Sequence, residues 1–230
     1  MAKIETNTEL LQEILDAVNS LPEAGSGGGG TDTRFADLVM GTITTVDDST
    51  ITTLRPYAFQ NCLDLVNVRL PNARIGATSV FRDCSNLQSV DLPELAGTSG
   101  GSLFVYCSSL TTVNIPKVTS LNTYVFQYCT SLKKLDLGNI ASIGAGAFKD
   151  SSLETLIIRR EETTITTLAN VNVFDGTPIA NGAGYVYVPN ALVDNFKSAT
   201  NWSTYAAQIR AIEDYPDICG GSSHGGGSSD

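Results

Sequence analysis

Apolar and polar positions along this chain recur at a fixed interval. Aligned on phenylalanine, the sequence reads FQNCLDLVNVRLP (59–71), FRDCSNLQSVDLP (81–93), FVYCSSLTTVNIP (104–116) and FQYCTSLKKLDLG (126–138). A shortened fifth copy, FKDSSLETLII, occupies 148–158. Phe59, Phe81, Phe104, Phe126 and Phe148 are spaced 22, 23, 22 and 22 residues apart. A fixed period of this size marks a repeat architecture. In Leu65-x-x-Val68-x-Leu70 the last two apolar positions alternate with a polar one. That pattern predicts a short strand with one buried face. Pro71, Pro93 and Pro116 end the strands, because proline has no N–H to give a ladder. A repeat of 22 residues suits one coil carrying one short parallel strand. Stacked coils then lie about 4.8 Å apart, and each buried position becomes a column: Phe on Phe, and Leu65 on Leu87, Leu110 and Leu132. The prediction is a mainly β, right-handed solenoid over 34–189.

Cys62, Cys84, Cys107 and Cys129 hold one position of that repeat. A small, soft side chain fits a tight inward corner, and free cysteine is among the most buried residue types. A zinc site would call for close pairs such as C-x-x-C, which the sequence lacks. Disulfides between adjacent coils are geometrically conceivable, but four equivalent rungs behind a start without a secretory signal argue for thiols. The fifth copy, one residue shorter here and without cysteine, points the same way. The four are read as a structural column. Cys219, in the tail, is expected to be exposed and unpaired: a thiol open to reaction or cross-linking, or a passive one.

Both ends of such a stack need covering. At the far end GYVYVP (184–189) predicts a last strand, and residues 190–213 predict one or two amphipathic helices. Leu192, Val193 and Phe196, then Trp202, Tyr205, Ile209 and Ile212, would face inward. Trp202 reads as a packing anchor of this cap rather than a sugar platform. The cap spans 190–216 and a flexible Gly/Ser tail 217–230. At the near end GTITTVDDSTITTL (41–54) offers β-branched positions for an opening rung.

Upstream, 1–24 predicts a separate amphipathic helix. Thr6-x-x-Glu9 is a capping box, and Ile4, Leu11, Ile14, Val18 and Leu21 form a stripe that Pro22 and Gly25 stop. So short a helix is marginal alone in water and must dock, on its own solenoid or on copies of itself or an assembly protein. Leu11, Ile14, Val18 and Leu21 would carry that anchoring or oligomerisation. Residues 25–33 follow as a Gly-rich linker; no strand leads into it and no Gly-Lys-Ser/Thr follows, so it is not a phosphate loop.

Net charge is −10, and the acidity lies in the flanks. Residues 1–33 hold one lysine against six carboxylates, and 213–230 hold four carboxylates and no lysine or arginine. The body therefore has no basic field of the kind that binds nucleic acid. No apolar run approaches the roughly 20 residues of a membrane helix, and MAKIETNTEL has no apolar core of a secretory signal. The expectation is a protein that stays in the cytosol or leaves by virion assembly and lysis. The single histidine, His224, lies in GGSSHGGGSSD, too flexible to orient an imidazole for a nucleophile. Asp91 and Asp136 fall two rungs apart, about 9–10 Å by strand spacing, with no apolar pocket to raise a pKa as glycosidase chemistry requires. Asp47-Asp48 and Arg159-Arg160-Glu161-Glu162 read as loop charges. The expectation is no catalytic residue, no metal and no cofactor.

What remains for chemistry is the outward side of the strands: Asn67 and Arg69, Ser89 and Asp91, Thr112 and Asn114, Lys134 and Asp136, then Thr155 and Ile157. Mixed short polar groups on a rigid sheet suit hydrogen bonding to a protein or glycan; a merely solvated sheet face is the alternative.

The pattern AF-x-x-C-x-x-L-x-x-[VI]-x-[LI]-P, with I-x-x-[IL] ahead of it in ITTLRPYAFQNC (51–62), VTSLNTYVFQYC (118–129) and IASIGAGAFKD (140–150), resembles the BspA-like leucine-rich repeats of bacteria, their phages and some protists. ARIGATSVF and LAGTSGGSLF depart from it upstream. The resemblance implies a leucine-rich-repeat solenoid that serves as a non-enzymatic binding scaffold. A short amphipathic helix, a glycine linker and a binding module also resemble the layout of phage appendage and decoration proteins. The expected function is a virion-associated protein presenting its repeat surface to a host-surface target; the alternative is a bacterial surface or secreted adhesion protein with no virion role.

Overall fold

A computed structural model describes residues 43–98, 100–161 and 164–220. The predicted helix over 1–24, the linker and residues 221–230 lie outside these. Short strands alternate between two places in each coil. They are β1 (Thr45–Asp47), β2 (Thr53–Leu54), β3 (Asn67–Arg69), β4 (Ile75–Gly76), β5 (Ser89–Asp91), β6 (Gly97–Thr98) and β7 (Thr112–Asn114). There follow β8 (Ser120–Leu121), β9 (Lys134–Leu137), β10 (Ser142–Ile143), β11 (Thr155–Ile158), β12 (Thr167–Leu168), β13 (Tyr185–Val188) and β14 (Ile209–Ala211). All pairings are parallel and join a strand to its counterpart one coil away, which gives four sheets: β1-β3-β5-β7, β2-β4-β6, β8-β10-β12 and β9-β11-β13-β14. The register stacks like on like. Val46, Val68, Val90 and Val113 are mutual partners, as are Leu135, Leu156, Val186 and Ile209.

The rings of Phe59, Phe81, Phe104, Phe126 and Phe148 stack at 5.2, 5.4, 5.2 and 5.7 Å between centroids, within 12° of parallel. A sixth member, Phe174, lies 5.5 Å beyond Phe148; its spacing of 26 residues had hidden it. Each such pair contributes about 0.5–1.5 kcal/mol beyond the area it buries. The backbone follows the rings, since the N–H of each of the first five phenylalanines donates to a carbonyl of the next coil, as Phe59 does to Val80 at 2.8 Å and Phe126 to Ala147 at 2.7 Å. Trp202, fully buried and tilted against Phe174 at 5.9 Å, closes the column with Tyr205 and Phe196. Its indole N–H donates to the Thr166 carbonyl at 2.6 Å, so it offers no open ring face.

The cysteine column sits beside the phenylalanines. Cys84, Cys107 and Cys129 are wholly buried and Cys62, on the first rung, is half-buried. Each buried thiol donates to a phenylalanine carbonyl of the preceding coil: Cys84 to Phe59 at 2.9 Å, Cys107 to Phe81 at 3.0 Å and Cys129 to Phe104 at 3.1 Å. All five cysteines are free. In the fifth copy Ser151 holds this place, with its N–H on the Phe148 carbonyl at 3.1 Å. The residue is therefore lost one position later than the alignment implied. The Ser151 hydroxyl is buried without a hydrogen-bond partner.

The turn around each phenylalanine has a fixed shape. The residues two before and two after it have positive φ: Tyr57 and Asn61, Ser79 and Asp83, Ser102 and Tyr106, Tyr124 and Tyr128, Gly146 and Asp150, all between 55° and 63°. Asn and Asp occupy that region readily, whereas a residue without a short polar side chain there costs roughly 1–2 kcal/mol. The tyrosines are thus the unexpected members.

Three features depart from the sequence reading. The stack is interrupted in both series of sheets, since β6 does not pair with β8, nor β7 with β9. The first break falls where the connector 94–103 holds one residue more than its neighbours 72–80 and 117–125. The phenylalanine column runs through both. At Gly138, where other copies have proline, an added Cβ would lie 2.4 Å from the Pro116 carbonyl oxygen, so the close approach of those coils excludes a side chain. Second, the cap is less helical than predicted. A 3-10 turn (Asn190–Leu192) leads into α1 (Val193–Ser198) and an irregular 3-10 segment (Ser203–Gln208), but Ile209–Ala211 forms β14 on the open edge of β13. The alternation of buried Ile209 and Ala211 about Arg210 meets the edge's demand for a partner. Third, Arg160 is no loop charge. It is buried, with its guanidinium donating to the Thr164 carbonyl at 2.8 Å and the Ile140 carbonyl at 3.1 Å.

Two outcomes follow. Ser151→Cys extends the thiol column into the fifth coil and removes an orphaned hydroxyl, so it should raise stability by about 1 kcal/mol, read from the midpoint of guanidinium unfolding; a lower midpoint would mean that the fifth corner is too tight for sulfur. Burial also holds the Cys84, Cys107 and Cys129 thiols well above their ordinary pKa; for Cys84 a hydrogen bond with Cys62 is the larger cause. The unfolded thiols ionise near pH 8.5 while the folded ones stay protonated, so the native state binds more protons above that pH. Stability from these groups is complete below about pH 8.5 and should fall as pH rises above it, by about 1.4 kcal/mol per pH unit for each thiol. Unfolding curves at pH 7.5 to 10 should show this slope, and Cys84→Ala/Cys107→Ala/Cys129→Ala should flatten it.

Candidate binding face

The outward side chains of the strands form two columns. On β1, β3, β5 and β7 the first is Thr45, Asn67, Ser89 and Thr112, and the second is Asp47, Arg69, Asp91 and Asn114. The alternation of strand side chains puts them there, with Val46, Val68 and Val90 buried behind. Asn67, Arg69, Thr112 and Asn114 are exposed, and Ser89 and Asp91 half-exposed. The polar groups satisfy one another along the stack. Arg69 Nη1 lies 3.1 Å from Asp47 Oδ1 and its Nε 3.4 Å from Asp91 Oδ2. Asn114 Nδ2 donates to Asp91 Oδ1 at 2.6 Å, and Ser89 Oγ to Asn67 Oδ1 at 2.6 Å. Exposed ion pairs of this kind add little stability; their effect is to hold the side chains in one arrangement.

Lys134 and Asp136 do not continue this face. They stand on β9, beyond the break from β7. The same columns run on to Thr155 and Tyr185, half-exposed and exposed, and to Ile157 and Tyr187, which are covered. Tyr215 and the turn of helix α2 (Pro216–Cys219) lie across them as a strap. Cys219 is buried with Ile157 and Tyr187, and Ile212 packs against the cluster. Tyr215 meets the Tyr187 ring edge-on at 5.3 Å. Lys134 Nζ donates to the Ile218 carbonyl at 2.6 Å. Arg159 grips the Asp136 carboxylate through Nε at 2.9 Å and Nη2 at 2.7 Å, and its Nη2 also donates to the Cys219 carbonyl. The Asp136 pairing raises the Arg159 pKa, so the clamp remains charged.

Cys219 is accordingly corrected from an exposed tail thiol to a buried one. Burial raises its pKa, with Arg159 and Lys134 pulling the other way. Arg159, read as a loop charge, is the hinge between strap and sheet. Sequence reasoning also missed Tyr185, Tyr187 and Arg210 as members of the outward columns. The signal was present, because Tyr-Val-Tyr-Val alternates and places both tyrosines opposite the buried valines. Arg210 lies over the Tyr185 ring at 4.8 Å.

Among the described residues, no three His, Cys, Asp or Glu side chains are grouped to hold a metal ion. Nor is any helix among them long and apolar enough to cross a membrane.

A search of curated proteins finds no match. Two solved structures are similar to parts of the chain. One is a leucine-rich repeat protein of T. pallidum, at 30% identity over 51% of this chain and 59% of that one, with a TM-score of 0.48. The other is a leucine-rich repeat protein of Bacteroides ovatus, at 18% identity over 64% of this chain and 50% of that one, with a TM-score of 0.32. The chain thus spans between half and three fifths of the length of these two proteins. A family model described as a BspA type leucine rich repeat region matches six copies across residues 52–176. With more than half of its length matched, and with the phenylalanine, cysteine and strand columns stacked coil on coil, the chain belongs to the BspA-type leucine-rich repeat family.

Proposed function

We propose that the protein is a non-enzymatic binding module, a solenoid that presents the outer face of β1, β3, β5 and β7 to a protein or glycan on a host surface. Leucine-rich repeat proteins generally mediate protein interaction, which favours the binding class. The observation that carries the reading is the arrangement of Asn67, Arg69, Ser89, Asp91, Thr112 and Asn114. They lie in register on one sheet, and all but Thr112 are bonded to a neighbour in the set. A partner therefore meets side chains that need little further ordering, which lowers the entropic cost of association. Neighbouring opposite charges suit a polar, hydrogen-bonding partner of mixed charge rather than a polyanion. The strap covers Ile157 and Tyr187 beyond β9, and the proposed face stops short of it.

The location we propose is the virion, with residues 1–24 as the anchor. The motive is the order of amphipathic stripe, glycine linker and binding module in the sequence. Purified virions should then carry the full-length chain, whereas a chain beginning at Thr31 should be absent from them. Recovery of the full-length protein in the host cell envelope instead would sink this location and leave the face untouched.

For the face, Thr45→Arg/Thr112→Arg adds bulk at two exposed positions that the polar column does not use. Its binding to intact bacterial cells, followed by flow cytometry with labelled protein, should fall at least 10-fold while the melting temperature moves by no more than about 2 °C. Unaltered binding by a folded variant would show that recognition happens elsewhere.

A further inference from the structure

The turn around each phenylalanine demands positive φ two residues after the ring. Three coils answer with Asn61, Asp83 and Asp150, residues at home there. Two neighbouring coils answer with Tyr106 and Tyr128. A bulky aromatic residue at positive φ is a backbone outlier and points to a demand on the side chain. The core makes no such demand, since Tyr106 is 43% exposed. The two rings stack at 4.6 Å and within 8° of parallel. The pair reaches solvent, with Tyr106 exposed and Tyr128 half-exposed. Arg82 lies 5.9 Å from the Tyr106 centroid, and its Nε is held 3.1 Å from Asp83 Oδ2. The same column places Asp83 one coil before the tyrosines and Asp150 one coil after.

We infer that Tyr106 and Tyr128, with Arg82, Asp83 and Asp150 around them, form a ledge that binds an uncharged saccharide. The rings take the apolar C–H face of a sugar, the carboxylates accept from its hydroxyls, and Arg82 donates to them. Competing ligands for a flat aromatic pair fit less well. Nucleic-acid bases also stack on tyrosine, but the carboxylates and a net charge of −10 repel the phosphates that must accompany them. A polyproline segment has no N–H to satisfy Asp83 or Asp150. The ledge lies on the turn ahead of the strands, so the inference stands apart from the proposed strand face.

Asparagine is the variant of choice because the fold already uses it at Asn61. Tyr106→Asn/Tyr128→Asn removes both rings where the backbone accepts the replacement, so the melting temperature should hold or rise. On a printed array of neutral bacterial and mucosal glycans, and in native gels containing hydroxyethyl cellulose, galactomannan or dextran, the natural protein should bind at least one saccharide. The double variant should lose that binding at least 10-fold, while Thr45→Arg/Thr112→Arg should keep it. The ledge is overturned if the natural protein binds none of these sugars, if the double variant binds as well as the natural protein, or if decaproline proves the better ligand. A fall in melting temperature of more than about 5 °C in the asparagine variant would show instead that the tyrosines are there for the fold.

Discussion

Register is the constraint on which this molecule depends. Once the first phenylalanine is buried, the next must arrive directly above it, because a ring displaced along the stack would lose both its neighbour and the N–H to carbonyl bond that travels with it. The observed centroid spacings of 5.2 to 5.7 Å leave little slack. Much of the repeat follows from this requirement. The coil length is nearly constant. The corner beside the ring accepts a thiol whose donor reaches the previous phenylalanine carbonyl. The turn adopts positive φ on both sides of the ring whatever residue it is given. Where two coils approach too closely for a side chain, at Gly138, the repeat surrenders its proline.

The same constraint explains how the sheets can be interrupted without the stack failing. Strand pairing stops between β6 and β8 and again between β7 and β9, yet Phe104 and Phe126 remain 5.2 Å apart. The interior column is the continuous element and the strands are its consequence. A surface built this way comes as a fixed grid: side chains one coil apart on a column are held at strand spacing. Polar neighbours on that grid bond to each other, as Asp47, Arg69, Asp91 and Asn114 do. Apolar neighbours need a cover, which the strap supplies for Ile157 and Tyr187.

The sequence made the repeat legible because identical stacking environments select identical residues. Phe59 to Phe148, the four cysteines and the strand alternation could all be read in one dimension. The sixth phenylalanine could not, because the insertion between Phe148 and Phe174 conceals a period that three dimensions restore. Nor could the fate of Lys134 and Asp136. On the sequence they are equivalent to Asn67 and Arg69; in the fold they sit across a break, and Lys134 is bonded to a residue 84 positions further along the chain. Cys219 was misplaced for the same reason, since composition around it reads as tail while its neighbours in space are Ile157 and Tyr187.

What the sequence determined by itself was what the period controls: which side chains of the repeated coils are buried and which are outward. Those properties are local, repeated by every coil, and follow from alternation and residue size. Only the tertiary structure decided which part of the outward face is open, which charges are paired and which thiol is hidden. Those outcomes depend on contacts between residues far apart in the chain, where the C-terminal segment folds back over strands already formed, and no periodic pattern encodes an encounter that happens once.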